Sequence, residues 1–189
     1  MGRYKIVYAD PPWRYHDKAS AGQRGACYKY AVLGTDGICA LPVADLAADD
    51  CVLFLWATFP LLPDAFRVLK AWGFGYKTAS FVWVKTNKNT DTDFFGMGNW
   101  TRANAEIVLL GAKGKPKRLS ASVRQIVHHP IMRHSEKPNE VRERIVTLMG
   151  NLPRIELFAR TKVSGWDCWG NEVESDINLL GDKIVEKSF

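Results

Sequence analysis

Apolar residues along this chain come in short runs separated by polar, glycine-containing stretches, and the runs follow two different periodicities. Tyr4-Lys5-Ile6-Val7-Tyr8-Ala9 reads as a buried strand, and so does the unbroken run Cys51-Val52-Leu53-Phe54-Leu55-Trp56. Residues 79–84 and 106–110 are β-branched and aromatic, and their spacing predicts two strands paired across the polar segment between them. Residues 154–159 predict another buried strand, with Glu156 set inside it. Helical spacing alternates with these runs. Ala65, Val68, Leu69 and Trp72 define a helix over 63–72 that stops at Gly73. Val141, Ile145 and Leu148 line one face of a helix over 138–149, with Pro138 in its first turn and Gly150 ending it. Strand–helix–strand alternation predicts an α/β sheet with a parallel centre. Neither internal repeats nor low-complexity linkers interrupt it.

Two long stretches carry no sustained period: residues 15–33 and residues 86–102. Loops of that length in a compact domain are usually functional. Both are expected to leave the same edge of the sheet if the strands run parallel. Residues 114–122 add Lys115, Lys117 and Arg118, either as a solvated loop or as a phosphate contact.

The chain has 189 residues, enough for one domain with a substantial core and short for two. A single domain over 1–189 is expected, with its core at about 4–173 and a tail at 174–189. Formal charge is +6 and the pI about 9.2, a balance that favours a polyanionic partner. Nothing approaches the roughly 20 apolar residues of a membrane span, and no signal-peptide pattern opens the chain, so no membrane partner and a cytoplasmic location are expected. Cys27, Cys39, Cys51 and Cys168 form no C-x-x-C pair, and His128, His129 and His134 have no acidic or thiol partners at ligand spacing. Neither a metal site nor a disulfide framework is expected.

The chemistry concentrates at Asp10-Pro11-Pro12-Trp13, directly behind the first strand. A strand ending there places a carboxylate at the sheet's carboxyl edge, where open α/β folds build their sites. The prolines stiffen the chain and offer carbonyl oxygens without competing N–H donors. Trp13 adds a flat π-face. Acid, bare carbonyl and stacking plane suit a planar amine such as a nucleobase; an ordinary strand exit is the alternative.

Other segments fall into a familiar order behind this tetrapeptide: Phe54-Leu55-Trp56, Trp83-Val84-Lys85-Thr86-Asn87, Ser135-Glu136-Lys137-Pro138, Ile155-Glu156-Leu157-Phe158-Ala159-Arg160 and Trp169-Gly170-Asn171-Glu172. Over about residues 4–173 the chain resembles the adenine methyltransferase family that contains the eukaryotic mRNA adenosine methyltransferases and their bacterial and phage relatives. The resemblance implies a Rossmann-like, seven-stranded, mostly parallel methyltransferase sheet that uses S-adenosylmethionine and no metal. It also implies a permuted motif order, with the Asp-Pro-Pro-Trp strand first and the cofactor strand near the C-terminus.

The resemblance further implies roles. Asp10, Pro11, Pro12 and Trp13 would be catalytic. Asp10 would face either the cofactor's ammonium or the substrate amine. Ser135 and Lys137 match a loop that touches cofactor and substrate; Lys137 would bind the methionine carboxylate or orient the base. Glu156, Leu157, Phe158, Arg160 and Lys162 would border the cofactor's adenosine and ribose. Asn171 and Glu172 match a pair that holds the adenine end, with Glu172 departing from the family's glutamine. Trp13 would stack on the target base, and Tyr30 is either its second wall or a loop aromatic packed on the surface. Lys85, Arg102, Lys115, Lys117 and Arg118 are expected near the active edge as phosphate contacts.

The reaction implied is methyl transfer from S-adenosylmethionine to the exocyclic 6-amino group of adenine. DNA is the expected substrate, because the chain carries none of the added domains of the eukaryotic RNA enzymes. An RNA adenosine methyltransferase with the same site is the alternative. A catalytically silent nucleic-acid-binding subunit is disfavoured by the intact Asp10–Trp13 motif. Self-association as a homodimer follows by family analogy only.

Overall fold

The computed structural model describes residues 2–14, 34–90, 92–98, 100–133 and 136–180. Tyr30 and Ser135 lie outside the described residues. Seven strands form one sheet: β1 (Tyr4–Ala9), β2 (Ala47–Ala57), β3 (Gly75–Thr86), β4 (Ala105–Lys113), β5 (Ile126–Pro130), β6 (Arg154–Leu157) and β7 (Asp167–Trp169). Their order is β5-β3-β4-β2-β1-β6-β7. The pairs β1/β2, β1/β6, β3/β5 and β6/β7 are parallel, whereas β4 is antiparallel to both β2 and β3. The sheet is therefore mostly parallel, with one reversed strand inside it. The first strand in sequence sits beside the sixth, which is the permuted, Rossmann-like arrangement.

Continuous apolar runs are required because both faces are covered. On one face, Val7, Leu53, Leu55 and Leu109 pack with Ala65, Val68 and Leu69 of α3 (Leu62–Ala71), and with Ile38 of α1 (Thr35–Cys39) and Val43 of α2 (Val43–Leu46). On the other, Ile6, Tyr8, Phe54 and Trp56 pack with Val141, Ile145 and Met149 of α4 (Asn139–Met149). Met149, rather than Leu148, completes the buried stripe of α4. Buried indoles find partners for their N–H groups, as burial demands. Trp72 donates to the Ile38 carbonyl at 2.9 Å, Trp56 to the Tyr8 hydroxyl at 2.6 Å, and Trp83 to the His129 carbonyl at 2.8 Å.

Strand directions decide which loops reach the site. All strands but β4 end at one edge, the edge of Asp10, and the loop from β3 to β4 leaves there as expected. Residues 114–122 do not. They follow the reversed β4 and leave at the opposite edge, near the starts of β1 and β2. There the Lys115 N–H donates to Asp50 Oδ1 at 2.6 Å, and Lys115 and Lys117 border a hollow with Lys5 and Asp50. The expectation that Lys115, Lys117 and Arg118 share the active edge is corrected: strand reversal carries them away from it.

Strand β6 is shorter than its apolar run, because Phe158 turns into the left-handed region at φ 61° and breaks the ladder. Residues 174–180 are more than a tail. The Asp176 carboxylate accepts the Cys168 N–H at 2.9 Å, and Leu179 is buried in the core.

Candidate active site

Asp10 sits just beyond β1, between the ends of β2 and β6. Its backbone N–H points to the Leu157 carbonyl at 3.5 Å, which ties the motif to β6. A cleft of about 620 Å³ opens at this edge. Tyr8, Asp10, Lys137, Arg142, Glu156, Phe158, Arg160 and Glu172 contribute to its wall. Residues from β1, the approach to α4, β6 and the turn after β7 thus converge on one space.

A chain of alternating charge starts at Asp10 and Lys137 in that wall and continues outside it to Glu106 and Lys85. Lys137 Nζ lies 2.8 Å from Asp10 Oδ2 and 3.4 Å from Glu106 Oε2, and Lys85 Nζ lies 2.6 Å from Glu106 Oε1. Glu106, at the start of β4, is brought here by the register that sets it opposite Trp83 on β3. Burial pushes the Asp10 carboxyl above the usual carboxylate range, against the pull of Lys137. Burial would also raise Glu106, but Lys137 and Lys85 outweigh it and hold that carboxyl below its ordinary range. Burial would lower Lys137; its two carboxylates outweigh this and hold the ammonium above its ordinary range. The Lys137 ammonium also lies 5.4 Å from the centre of the Trp56 ring.

Glu156 finds its partner on α4. Arg142 of α4 grips it with two hydrogen bonds, Nε to Oε2 at 2.7 Å and Nη2 to Oε1 at 2.6 Å. Both side chains are largely buried, and the guanidinium sits 5.5 Å from the Tyr8 ring centre. Arg142 thereby joins α4 to β6.

Several sequence expectations change. Trp13 is only 8% exposed, and its indole N–H donates to the Trp56 carbonyl at 3.0 Å. It anchors the Asp-Pro-Pro turn in the core rather than offering an open stacking plane. The Pro11 carbonyl accepts the Trp13 N–H at 2.8 Å, so it is not bare, although a carbonyl has a second lone pair. The Leu157 side chain is fully buried among core residues. Lys162 pairs with Asp176 at 2.7 Å on the surface, outside the cleft wall. Asn171 is exposed and also outside that wall, whereas Arg160 and Glu172 face each other within it at 3.6 Å. Phe158 lines the cleft with its ring edge-on to Trp169. Lys85 is taken up by Glu106, and Arg102 lies over the Phe95 ring at 5.1 Å.

Glu106, Arg142 and Tyr8 are the site residues that sequence reasoning missed. A carboxylate opening an apolar strand was the available signal for Glu106. For Arg142 the signal was the buried Glu156, which required a cation from somewhere.

Comparison with known proteins agrees with this geometry. Residues 4–172 match the MT-A70 family. The chain belongs to the MT-A70 family. Over 189 aligned residues it is 36% identical to the type II methyltransferase M.MunI of a Mycoplasma species, covering 90% of this chain and 78% of that protein. It is 29% identical to the Drosophila N(6)-adenosine-methyltransferase MT-A70-like protein, over 98% of this chain and 29% of that one. Identity is also 29% to the human N(6)-adenosine-methyltransferase catalytic subunit METTL3, over 99% of this chain and 31% of that one. The chain spans about a third of the length of these eukaryotic relatives. MT-A70 methyltransferases use S-adenosylmethionine.

The cleft of this MT-A70 chain suits that cofactor. S-adenosylmethionine presents a carboxylate, an ammonium, a sulfonium and ribose hydroxyls. Cationic Lys137 and Arg160, anionic Asp10 and Glu172 and the Phe158 ring are the complementary groups in the wall. Among the described residues, no helix is long and apolar enough to cross a membrane.

Proposed function

We propose that this chain transfers the methyl group of S-adenosylmethionine to the 6-amino group of adenine in DNA. The observation that carries the reading is Asp10, a carboxylate at the sheet's carboxyl edge that lines the same cleft as Phe158, Arg160 and Glu172 of the cofactor side. The adenine assignment draws on relatives named as N(6)-adenosine methyltransferases, and the DNA assignment on the 36%-identical relative named as a type II methyltransferase. A DNA-modifying enzyme of this kind would work in the cytoplasm of a bacterial or phage-infected cell. The single-domain organisation belongs to the same proposal, as does a homodimer by family analogy.

The bound cofactor supplies an electrophilic methyl group on a sulfonium. Everything else falls to the protein. The adenine amine is a weak nucleophile because its lone pair is delocalised into the ring. Asp10 accepts a hydrogen bond from that amine while Lys137 holds its Oδ2, and the Pro11 carbonyl accepts a second through its remaining lone pair. Two such bonds favour a pyramidal nitrogen with its lone pair aimed across the cleft. Lys137, itself fixed by Glu106, holds the Asp10 carboxylate in place, so little reorganisation is needed at the moment of transfer. Arg160 and Glu172 would border the nucleoside end of the cofactor. The amine's proton leaves after transfer, so Asp10 need not be a strong base. Incubation with tritiated S-adenosylmethionine and native DNA, denatured DNA or RNA tests the reading. Label in adenine of DNA is expected; label in RNA alone would replace DNA with RNA as substrate, and no label in any would overturn it.

A further inference from the structure

The loop between β3 and β4 exposes large apolar side chains in a way the site does not explain. Phe95 is 73% exposed, Met97 94% and Trp100 99%, all within six residues. Single exposed apolar residues are ordinary; three together on one protrusion mark an interaction surface. The protrusion is built rather than slack. Thr86 bridges Asp93, the Phe94 N–H donates to the Lys85 carbonyl at 2.8 Å, and the Lys85 N–H to the Asn104 carbonyl at 2.7 Å. Higher up, its two limbs close on each other so tightly that only glycine fits. A Cβ on Gly96 would stand 1.7 Å from the Ala103 carbonyl oxygen, and one on Gly98 2.0 Å from that of Thr101.

The base of this protrusion is the active site. Lys85 at its entry and Glu106 just past its exit belong to the charge chain that ends on Asp10. Cations accompany the apolar tip: Arg102 lies over Phe95, and Lys88 is exposed on the entering limb. An apolar tip with flanking positive charge is complementary to a nucleic-acid duplex, whose phosphates attract the cations and whose base stack accepts a flat apolar side chain. The proposed reaction also needs one. An adenine inside a duplex must leave the stack to reach Asp10, and the gap it leaves costs stacking energy unless something fills it.

We propose that the β3–β4 loop is a wedge for duplex DNA, with the Trp100 indole entering the space vacated by the flipped adenine and Phe95 and Met97 packing beside it. Arg102 and Lys88 meet the flanking phosphates. This rests on the DNA-adenine reading above. A surface for a second copy of the chain is the competing use of the same residues.

A wedge is needed only where there is a stack to open, and that separates the possibilities. Adenine-unmethylated phage lambda DNA, native or heat-denatured, is offered with tritiated S-adenosylmethionine to the wild type, Trp100→Ala and Trp100→Phe. The native-to-denatured rate ratio is expected to fall at least tenfold in Trp100→Ala and to recover most of the way in Trp100→Phe. Using a ratio cancels any loss common to both substrates, including partial misfolding. An unchanged ratio in Trp100→Ala overturns the wedge. So does a shift of Trp100→Ala from dimer to monomer in sedimentation with no change in ratio, which would assign the surface to a second copy. A wild type that labels neither DNA overturns the DNA reading on which the wedge rests, and the wedge with it.

Discussion

Lys137 and Asp10 lie 127 residues apart in the chain, yet the ammonium of one rests 2.8 Å from the carboxylate of the other in the wall of the cleft. The contact joins the two halves of the site, since Lys137 leads into α4 and Asp10 closes β1. It also explains a cation just ahead of a helix N-terminus, where the helix field is unfavourable to it. Two carboxylates, Asp10 and Glu106, supply the compensation.

Glu106 sets the acid limit of this arrangement. Its carboxyl is held below the ordinary value of 4.5, so the folded state binds that proton less readily than the unfolded chain does. The resulting stability is fully present above pH 4.5 and is lost as pH falls through the depressed folded value. Glu106→Gln is expected to lose about 1–3 kcal/mol at pH 7. Urea unfolding at stepped pH should show the gap between variant and wild type narrowing below pH 4.5; a constant gap would mean that the charge is not the cause.

Arg142 and Glu156 form a pair whose halves are costly apart. Arg142→Met leaves a buried carboxylate without its guanidinium and is expected to destabilise by about 3–5 kcal/mol, while Arg142→Met with Glu156→Leu recovers a large part of the loss. Urea unfolding of the two variants measures this. A double variant no more stable than the single would show that the ion pair is incidental.

Trp13→Phe separates anchoring from stacking. The substitution keeps a flat ring and removes the N–H that reaches the Trp56 carbonyl. Stability should fall by about 1 kcal/mol while KM for DNA stays within twofold. A many-fold rise in KM without loss of stability would restore Trp13 to the base pocket.

Lys117 and Arg118 leave the sheet at the edge opposite Asp10. Their joint replacement by Ala is expected to leave the slope of log Kd against log salt for DNA unchanged, because no phosphate contact is lost. A shallower slope would bring DNA round to that edge.

How much of this was legible in the sequence depended on where the controlling interaction lay. Strands β1 to β4 and helices α3 and α4 announced themselves because both sheet faces are covered, so their apolar periods are complete. Strand β5 was hidden by His128 and His129, which an edge position tolerates, and β7 is only three residues long. The Asp10 motif was readable because its chemistry is local. Glu106 and Arg142 were not, since each matters through a partner that only the sheet register or helix docking brings near. The basic cluster at 115–118 was misplaced for a related reason. The pairing of β3 with β4 was foreseen, but not its antiparallel direction, and the next loop's edge follows from that direction and the whole strand order.

The account turns on Asp10 as the group that orients the adenine amine, and the most direct measurement is N6-methyladenine formed in DNA by the wild type and by Asp10→Asn, counted by mass spectrometry of hydrolysed nucleosides. Asn keeps the shape and removes the charge, while Lys137 retains Glu106 as a partner. A fall of about 100- to 1,000-fold in turnover, with an unchanged circular dichroism spectrum, is the predicted result. Turnover within a few-fold of wild type would contradict the account.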